Sequence, residues 1–279
     1  MRAVMNILNI AAYKFTTLDE LPALREDLRA QCAAAAFKGT ILIAPEGINL
    51  FLAGERTKLE AFVERLLADP CFAGMPVKKS LSAEQPFNRM LVKIKREIIT
   101  MKRPDINPAA KPAPRLAPAA LKAWLDEGRE VVMLDTRNDF EVGLGTFDGA
   151  VDLKLASFGD FPAAVKKLEL EGKTVVTFCT GGIRCEKAAP LLIANGLDKV
   201  YQLDGGILKY FEECGGAHWH GECFVFDKRV ALGSDLKETG TTQCYACQAV
   251  VLPEEQGSGD YVLGQSCPHC KTKTSRLAA

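Results

Sequence analysis

Apolar and polar residues alternate loosely over residues 6–13, as in a half-buried strand. The period then changes. Across 18–34, Leu21, Leu24 and Leu28 recur at helical spacing, and Thr17 with Glu20 three residues on reads as an N-terminal capping pair. Thr40 to Ala44 is a short apolar strand, Pro45-Glu46-Gly47 a turn, and Ile48 to Ala53 a second strand, followed by an amphipathic helix over 55–68. Strands near 75–81 and 90–99 complete the unit. The order strand, helix, strand, strand, helix, strand predicts an α+β ferredoxin-like domain over residues 1–102, an open sheet with both helices on one face.

Between Lys102 and Pro118 the chain holds five prolines and no apolar periodicity, so 103–118 reads as a stiff linker. From 119 to 213 strands alternate with helices: Val131 to Asp135, Thr174 to Cys179, a helix at 185–195, then Val200 to Leu203. That alternation predicts an α/β domain with a parallel sheet covered on both faces and its function at the carboxyl ends of the strands. Residues 214–279 are rich in glycine and cysteine and contain only short strand-like pieces. No internal repeat or long low-complexity tract interrupts this order.

At 279 residues, 48% of them hydrophobic, the chain can bury a core about two domains in size. It carries no run of about 18 apolar residues and no secretory leader pattern, which predicts a cytoplasmic protein with no membrane contact. Lys plus Arg and Asp plus Glu are 35 each, giving zero net charge, but residues 1–104 hold 16 basic and 11 acidic residues and residues 105–279 hold 19 and 24. A polyanion is expected on the first part. Six of the ten cysteines fall in the last 66 residues. In a reducing compartment such clustering points to metal binding or catalysis rather than disulfides.

The most informative stretch runs from Val175 to Ala188, where a buried strand enters the loop Cys179-Thr180-Gly181-Gly182-Ile183-Arg184 and the loop enters a helix at Cys185. A thiol at that strand end lies beside the free amides that open the helix, and their partial positive charge favours thiolate. Gly181 and Gly182 permit positive φ angles that let amides converge on one sulfur, while Arg184 adds a fixed cation. Cys179 is therefore expected to be a nucleophile of low pKa, although a lone thiol at a strand end is equally a packing residue. Cysteine phosphatases place five residues between nucleophile and arginine; here four intervene, a cradle better suited to one sulfur atom than to a phosphoryl group.

Leu134-Asp135-Thr136-Arg137, Glu141, Gly145-Thr146-Phe147-Asp148-Gly149-Ala150, the loop Cys179 to Arg184 and Gly205-Gly206-Ile207 resemble the signature set of a rhodanese domain. The resemblance puts Cys179 at the persulfide-forming position and Cys185 where simple rhodaneses carry Ser or Thr. Thr146 and Phe147 depart from the usual His-Ile. Adding Ala44-Pro45-Glu46-Gly47-Ile48-Asn49, Lys93 to Thr100 and Gly221-Glu222-Cys223-Phe224-Val225-Phe226-Asp227, nearly the whole chain is similar to the bacterial rhodanese-containing tRNA uridine hydroxylases. That resemblance implies an acylphosphatase-like first domain, tRNA as substrate, and conversion of the wobble uridine, position 34, to 5-hydroxyuridine with dioxygen as co-substrate. The reading in another class is a persulfide sulfurtransferase, and a third is a binding module without catalysis. A sulfur donor or reductant protein is a further expected partner.

Other candidates have two readings each. Cys185 either packs in the first helical turn or resolves a persulfide or sulfenate on Cys179. Asp135 and Arg137 either face the same cleft as catalytic groups or form a turn-anchoring ion pair. Glu186 and Lys187 sit in the helix's first turn, where a carboxylate satisfies the dipole without chemistry. Asn49 is a turn residue or a substrate contact. Residues 78–103 contain eight basic residues against Glu84 and Glu97; Lys93 and Lys95 alternate with Val92 and Ile94, so these cations and Arg96 either bind phosphates or guard an edge strand. Substrate contacts are expected from Thr180, Gly181, Gly182, Ile183, Lys93, Lys95 and Arg96.

Cys244-x-x-Cys247 and Cys267-x-x-Cys270, 19 residues apart, fit two knuckles closing one structural zinc site. A zinc-ribbon-like tail follows, since so small a segment needs a staple. Cys214, His218, His220 and Cys223 are too irregularly spaced to favour a second metal. There is no flavin or nicotinamide fingerprint and no two-histidine, one-carboxylate iron site.

Overall fold

The computed structural model describes residues 7–270, so residues 1–6 of the first expected module and 271–279 of the tail lie outside it. The chain divides after Pro112 into two compact units.

In the first unit, β1 (Ile7–Phe15), α1 (Leu21–Ala34), β2 (Lys38–Ala44), β3 (Gly47–Glu55), α2 (Arg56–Ala68), β4 (Val77–Ser82) and β5 (Met90–Ile94) follow in turn. The strand order β4-β1-β3-β2-β5 is the ferredoxin-like order with one strand added, β5 running parallel to β2. Leu28 and Cys32 of α1 and Leu59, Phe62, Val63 and Leu66 of α2 bury against the sheet. The Glu55 carboxylate caps α2 by accepting from the amides of Thr57 and Lys58.

Two expectations fail here for visible reasons. Thr17 does not cap α1. The amides of Thr16 and Leu18 bond instead to the carbonyls of Glu46 and Pro45, and the helix starts later, at Leu21, behind Glu20 at φ 49° and with Pro22 in its first turn. The strand expected over 90–99 stops at Ile94 because its neighbour β2 ends at Ala44, leaving the Lys95 amide on Ile43 as the final ladder bond. Beyond it, the Ile98 amide donates to Glu46 Oε1 at 2.7 Å and Asn49 Nδ2 donates to the Ile98 carbonyl at 3.3 Å. Asn49 is thus not in the turn but a buried residue of β3, and its side chain ties down this segment.

The second unit begins inside the expected linker. Its β6 (Arg115–Leu116) precedes α3 (Pro118–Asp126), β7 (Val131–Asp135), α4 (Asp139–Val142), β8 (Gly145–Phe147), β9 (Val151–Asp152), α5 (Phe161–Ala164), β10 (Thr174–Phe178), α6 (Cys185–Ala194), β11 (Val200–Leu203) and α7 (Gly206–Cys214). The sheet order is β6-β11-β10-β7-β9 with every pair parallel. Arg115 carries β6 in place by reaching Glu186 of α6 and Asp204.

The cysteine-rich segment is not wholly separate from this unit. Its first strand, β12 (Trp219–Gly221), pairs with β8 and sets Trp219 against Phe147, and β13 (Cys223–Phe224) with β14 (Ala231–Leu232) adds Cys223 to the same core. Only then come β15 (Thr242–Gln243) and β16 (Val250–Val251), whose small core holds Val251, Cys244 and Cys267. Among the described residues no helix is long and apolar enough to cross a membrane.

Candidate active site

Strand β10 is buried from Val175 onward and delivers Cys179 to the carboxyl edge of the sheet, where parallel α/β proteins place their ligands. The loop Cys179 to Arg184 then turns into α6. Only Gly182 uses a left-handed angle, φ 99°; Gly181 does not, and a Cβ at Gly181 would meet nothing within 4 Å. The loop therefore depends on one glycine for its turn, not on both.

The loop is held from behind by α7. The amides of Ile207 and Leu208, free because they open that helix, donate to the carbonyls of Cys179 (3.0 Å) and Thr180 (3.1 Å). Gly206, at φ 68°, lets the helix come this close. A Cβ there would stand 2.4 Å from the Cys179 carbonyl oxygen and 2.7 Å from the Gly182 nitrogen. The Gly205-Gly206-Ile207 motif thus serves the cysteine loop directly.

Cys179 is 2% exposed, and its sulfur accepts the Gly182 amide at 3.1 Å. Burial pushes its pKa up, but the Cys185 thiol, the Arg184 charge and the Arg184 and Gly182 amides together outweigh that and bring it from 9.0 down to about 6. Cys185 is fully buried, and burial together with the neighbouring Cys179 sulfur drives its own pKa well up. The pair therefore carries one negative charge, on Cys179, with Cys185 as the neutral thiol. Cys185 also lies 3.8 Å from the Thr136 hydroxyl, which donates to the Phe178 carbonyl.

Arg184 does not reach freely over the sulfur. Its Nη1 and Nη2 bind Oε1 and Oε2 of Glu141 at 3.1 and 2.8 Å, and Glu141 Oε2 also accepts the Asn138 amide. Asp135 and Arg137, expected among the catalytic groups, form a fully buried ion pair at 2.6 Å. Arg137 spends its other donors on the carbonyls of Glu141 and Gly145, and Thr146 donates to Asp135. With both side chains 0% exposed, they support the turn that carries Glu141 and present no face to a ligand; this corrects their expected role. Glu186 is likewise structural, bridging Arg115 and Gln202, and Lys187 is fully buried.

Of the expected substrate contacts, Thr180, Gly181 and Ile183 are half-buried and Gly182 is buried. The Thr180 hydroxyl donates to the Phe224 carbonyl at 3.3 Å, joining the loop to β13. Lys93 on β5, with Lys95 and Arg96 just after it, is exposed in the first unit, while Met90, Val92 and Ile94 pack inward.

Two site residues, Glu141 and Phe226, stood in motifs without an assigned role. Glu141 carried a motif position but no assigned role, although its place three residues after Asn138 marks a helix start. Cys223 lies close enough to feel Arg137 and Thr180, yet burial pushes its pKa up to about 12, so it is a packing thiol. Phe226 sits over the Arg184 guanidinium at 5.6 Å, a contact 42 residues apart in sequence that no local pattern could announce.

In the tail the sulfurs of Cys244, Cys247, Cys267 and Cys270 all lie within 4.8 Å of one another. The separations 244–270, 247–267 and 267–270 are 3.7, 3.5 and 3.9 Å. Four thiolates about 2.3 Å from a central zinc would stand about 3.8 Å apart at the corners of a tetrahedron, so the donor set fits a metal ion of that size. His269 turns to Glu255 at 2.7 Å instead of joining them. His218 and His220 pair with Asp126 and Asp148, so among the described residues the looser Cys/His group forms no second cluster.

A cysteine loop cradled by two helix N-termini at the edge of a parallel sheet defines a rhodanese-like domain, and residues 117–213 match the family described as "Rhodanese-like domain". Residues 7–98 match the "UPF0176 acylphosphatase like domain". The chain is 59% identical, over 99% of its length and 100% of that protein, to the tRNA uridine(34) hydroxylase of Cupriavidus taiwanensis, and 58% identical with the same coverage to that of Cupriavidus necator. It belongs to the tRNA uridine(34) hydroxylase family. It is also similar to a rhodanese-like domain from Anabaena solved in solution, at 22% identity and a TM-score of 0.33, covering 39% of this chain and 79% of that one.

Proposed function

We propose that this chain hydroxylates the wobble uridine of tRNA, position 34, to 5-hydroxyuridine, with dioxygen as co-substrate and Cys179 as the reacting group. The observation that carries the reading is the end-to-end likeness to proteins of that name, 59% identity over 99% of the chain, with Cys179 set at the carboxyl edge of the sheet and accepting the Gly182 amide. Replacing the C5 hydrogen by hydroxyl takes one oxygen atom from dioxygen. The other leaves as water and requires two electrons and two protons, which assigns a reductant as the further partner. The half-buried loop residues Thr180, Gly181 and Ile183 are the substrate's neighbours in this reading, and Lys93, Lys95 and Arg96 bind phosphates.

A persulfide sulfurtransferase is the second reading. It is favoured by the small cradle in which Gly182 N–H, Cys185 S–H and Arg184 all support sulfur anion. Purified protein incubated in air with unmodified tRNA and a thiol reductant separates the two by nucleoside mass spectrometry. 5-Hydroxyuridine lost in Cys179→Ser supports hydroxylation; thiolated uridine, formed only with a sulfur donor, supports sulfur transfer. The four tail cysteines hold zinc in this account. Four thiolates would close its coordination sphere, so the ion would be structural and would take no part in the reaction.

A further inference from the structure

Beside the cysteine loop the second unit exposes aromatic surface that the thiol chemistry does not use. Phe226 is 51% exposed and Phe140 is 43% exposed. Buried Phe224 stands between them, edge-on to each with ring centroids 5.1 Å apart in both cases. Two contacts tie this ladder to the loop: the Thr180 hydroxyl on the Phe224 carbonyl, and the Arg184 guanidinium over Phe226. The turn that carries Phe226 is stiff. The Val225 amide bonds to the Val230 carbonyl, and Arg229 grips both oxygens of Asp227 at 2.8 and 2.6 Å.

A large apolar ring left half in water, on a braced turn next to a reactive group, is out of place in a fold that buries most of its phenylalanines. Enzymes that act on one base of a nucleic acid take it out of its stack and hold it against aromatic side chains. We propose that Phe226 is the stacking face for the target uracil, with Phe140 flanking it, and so positions the base over the Cys179 loop. This rests on the uridine-hydroxylation reading and adds to it the residue that receives the base. Arg184 then has two contacts besides its effect on the sulfur: Glu141 fixes its plane, and that plane backs the Phe226 ring.

The test uses the full-length protein, unmodified tRNA transcript, air and a small-molecule thiol reductant. Phe226→Ala should lower kcat/KM for 5-hydroxyuridine formation about 5- to 160-fold, the range set by loss of one base–aromatic stack, and mainly through KM. Phe226→Tyr and Phe226→Trp should restore it to within a few-fold, and Phe226→Leu should not. The alkylation rate of Cys179 should stay unchanged in all four variants, because stacking does not act through the thiol. Unaltered kinetics in Phe226→Ala, rescue by leucine, or a parallel change in Cys179 alkylation would each overturn the assignment. A defect seen only when a protein reductant replaces the small thiol would also overturn it, placing Phe226 at a protein contact. If the wild-type protein forms no 5-hydroxyuridine, the function reading falls and this inference with it; an active wild type with an indifferent Phe226→Ala removes only the stacking.

Discussion

Arg184 and Glu141 hold each other in a buried two-point contact, 8% and 0% exposed, so the cation of the cysteine loop is fixed by a carboxylate contributed 43 residues earlier in the chain. Removing one partner of such a pair leaves the other's charge buried, at a cost of about 3–5 kcal/mol. Glu141→Gln should therefore lower unfolding free energy by about that amount in urea titration while keeping Cys179 acidic, since the Arg184 charge becomes less compensated. A loss well under 1 kcal/mol would mean that water already screens the pair.

Gly206 and Gly181 make a matched pair of substitutions. A methyl at Gly206 collides with the loop backbone and sits at a left-handed φ, whereas one at Gly181 meets open space. Gly206→Ala should remove the acidity of Cys179 and most activity; Gly181→Ala should keep the thiol acidic. Alkylation of Cys179 at neutral pH in the two variants checks this, and equal behaviour would contradict the packing described.

What could be read beforehand followed local pattern. The ferredoxin-like strand order, the parallel sheet and the cysteine loop each rest on periodicity or on residues within one turn of each other. What could not be read was set by distant partners. The backbone either side of Thr17 is bound to the carbonyls of residues 45 and 46, so the helix starts later, and residues 95–99 left the sheet because β2 had ended. Asp135 and Arg137, two apart after a strand, read as a turn-anchoring ion pair or as cleft residues, and their burial with the enclosing carbonyls of Glu141 and Gly145 favours the ion pair. Glu141 and Phe226 reach the site from outside the loop's own sequence.

If the four tail cysteines hold a metal ion, the tail should unfold on its removal. Its described core contains only Val251, Cys244 and Cys267 as buried members, too little apolar area to hold a fold. Metal analysis should give one zinc per chain, and chelation should abolish a separate thermal transition of the tail without altering Cys179 alkylation. Retention of that transition after chelation would remove the structural role.

The basic stretch offers a salt test. Replacing Lys93, Lys95 and Arg96 by alanine touches exposed side chains and should leave the fold intact. If all three contact phosphates, tRNA binding weakens and the slope of log K against log salt becomes shallower by about 2–3. An unchanged slope would make them guards of the β5 edge only.

The most direct measurement is the pH profile of Cys179 alkylation by iodoacetamide, read on its own peptide by mass spectrometry because the chain has ten cysteines. Only thiolate reacts, so the rate climbs as pH passes the thiol's pKa and then levels off. Half-maximal reactivity is expected near pH 6, with a plateau at neutral pH. A profile still rising through pH 9, as for an ordinary thiol, would contradict it.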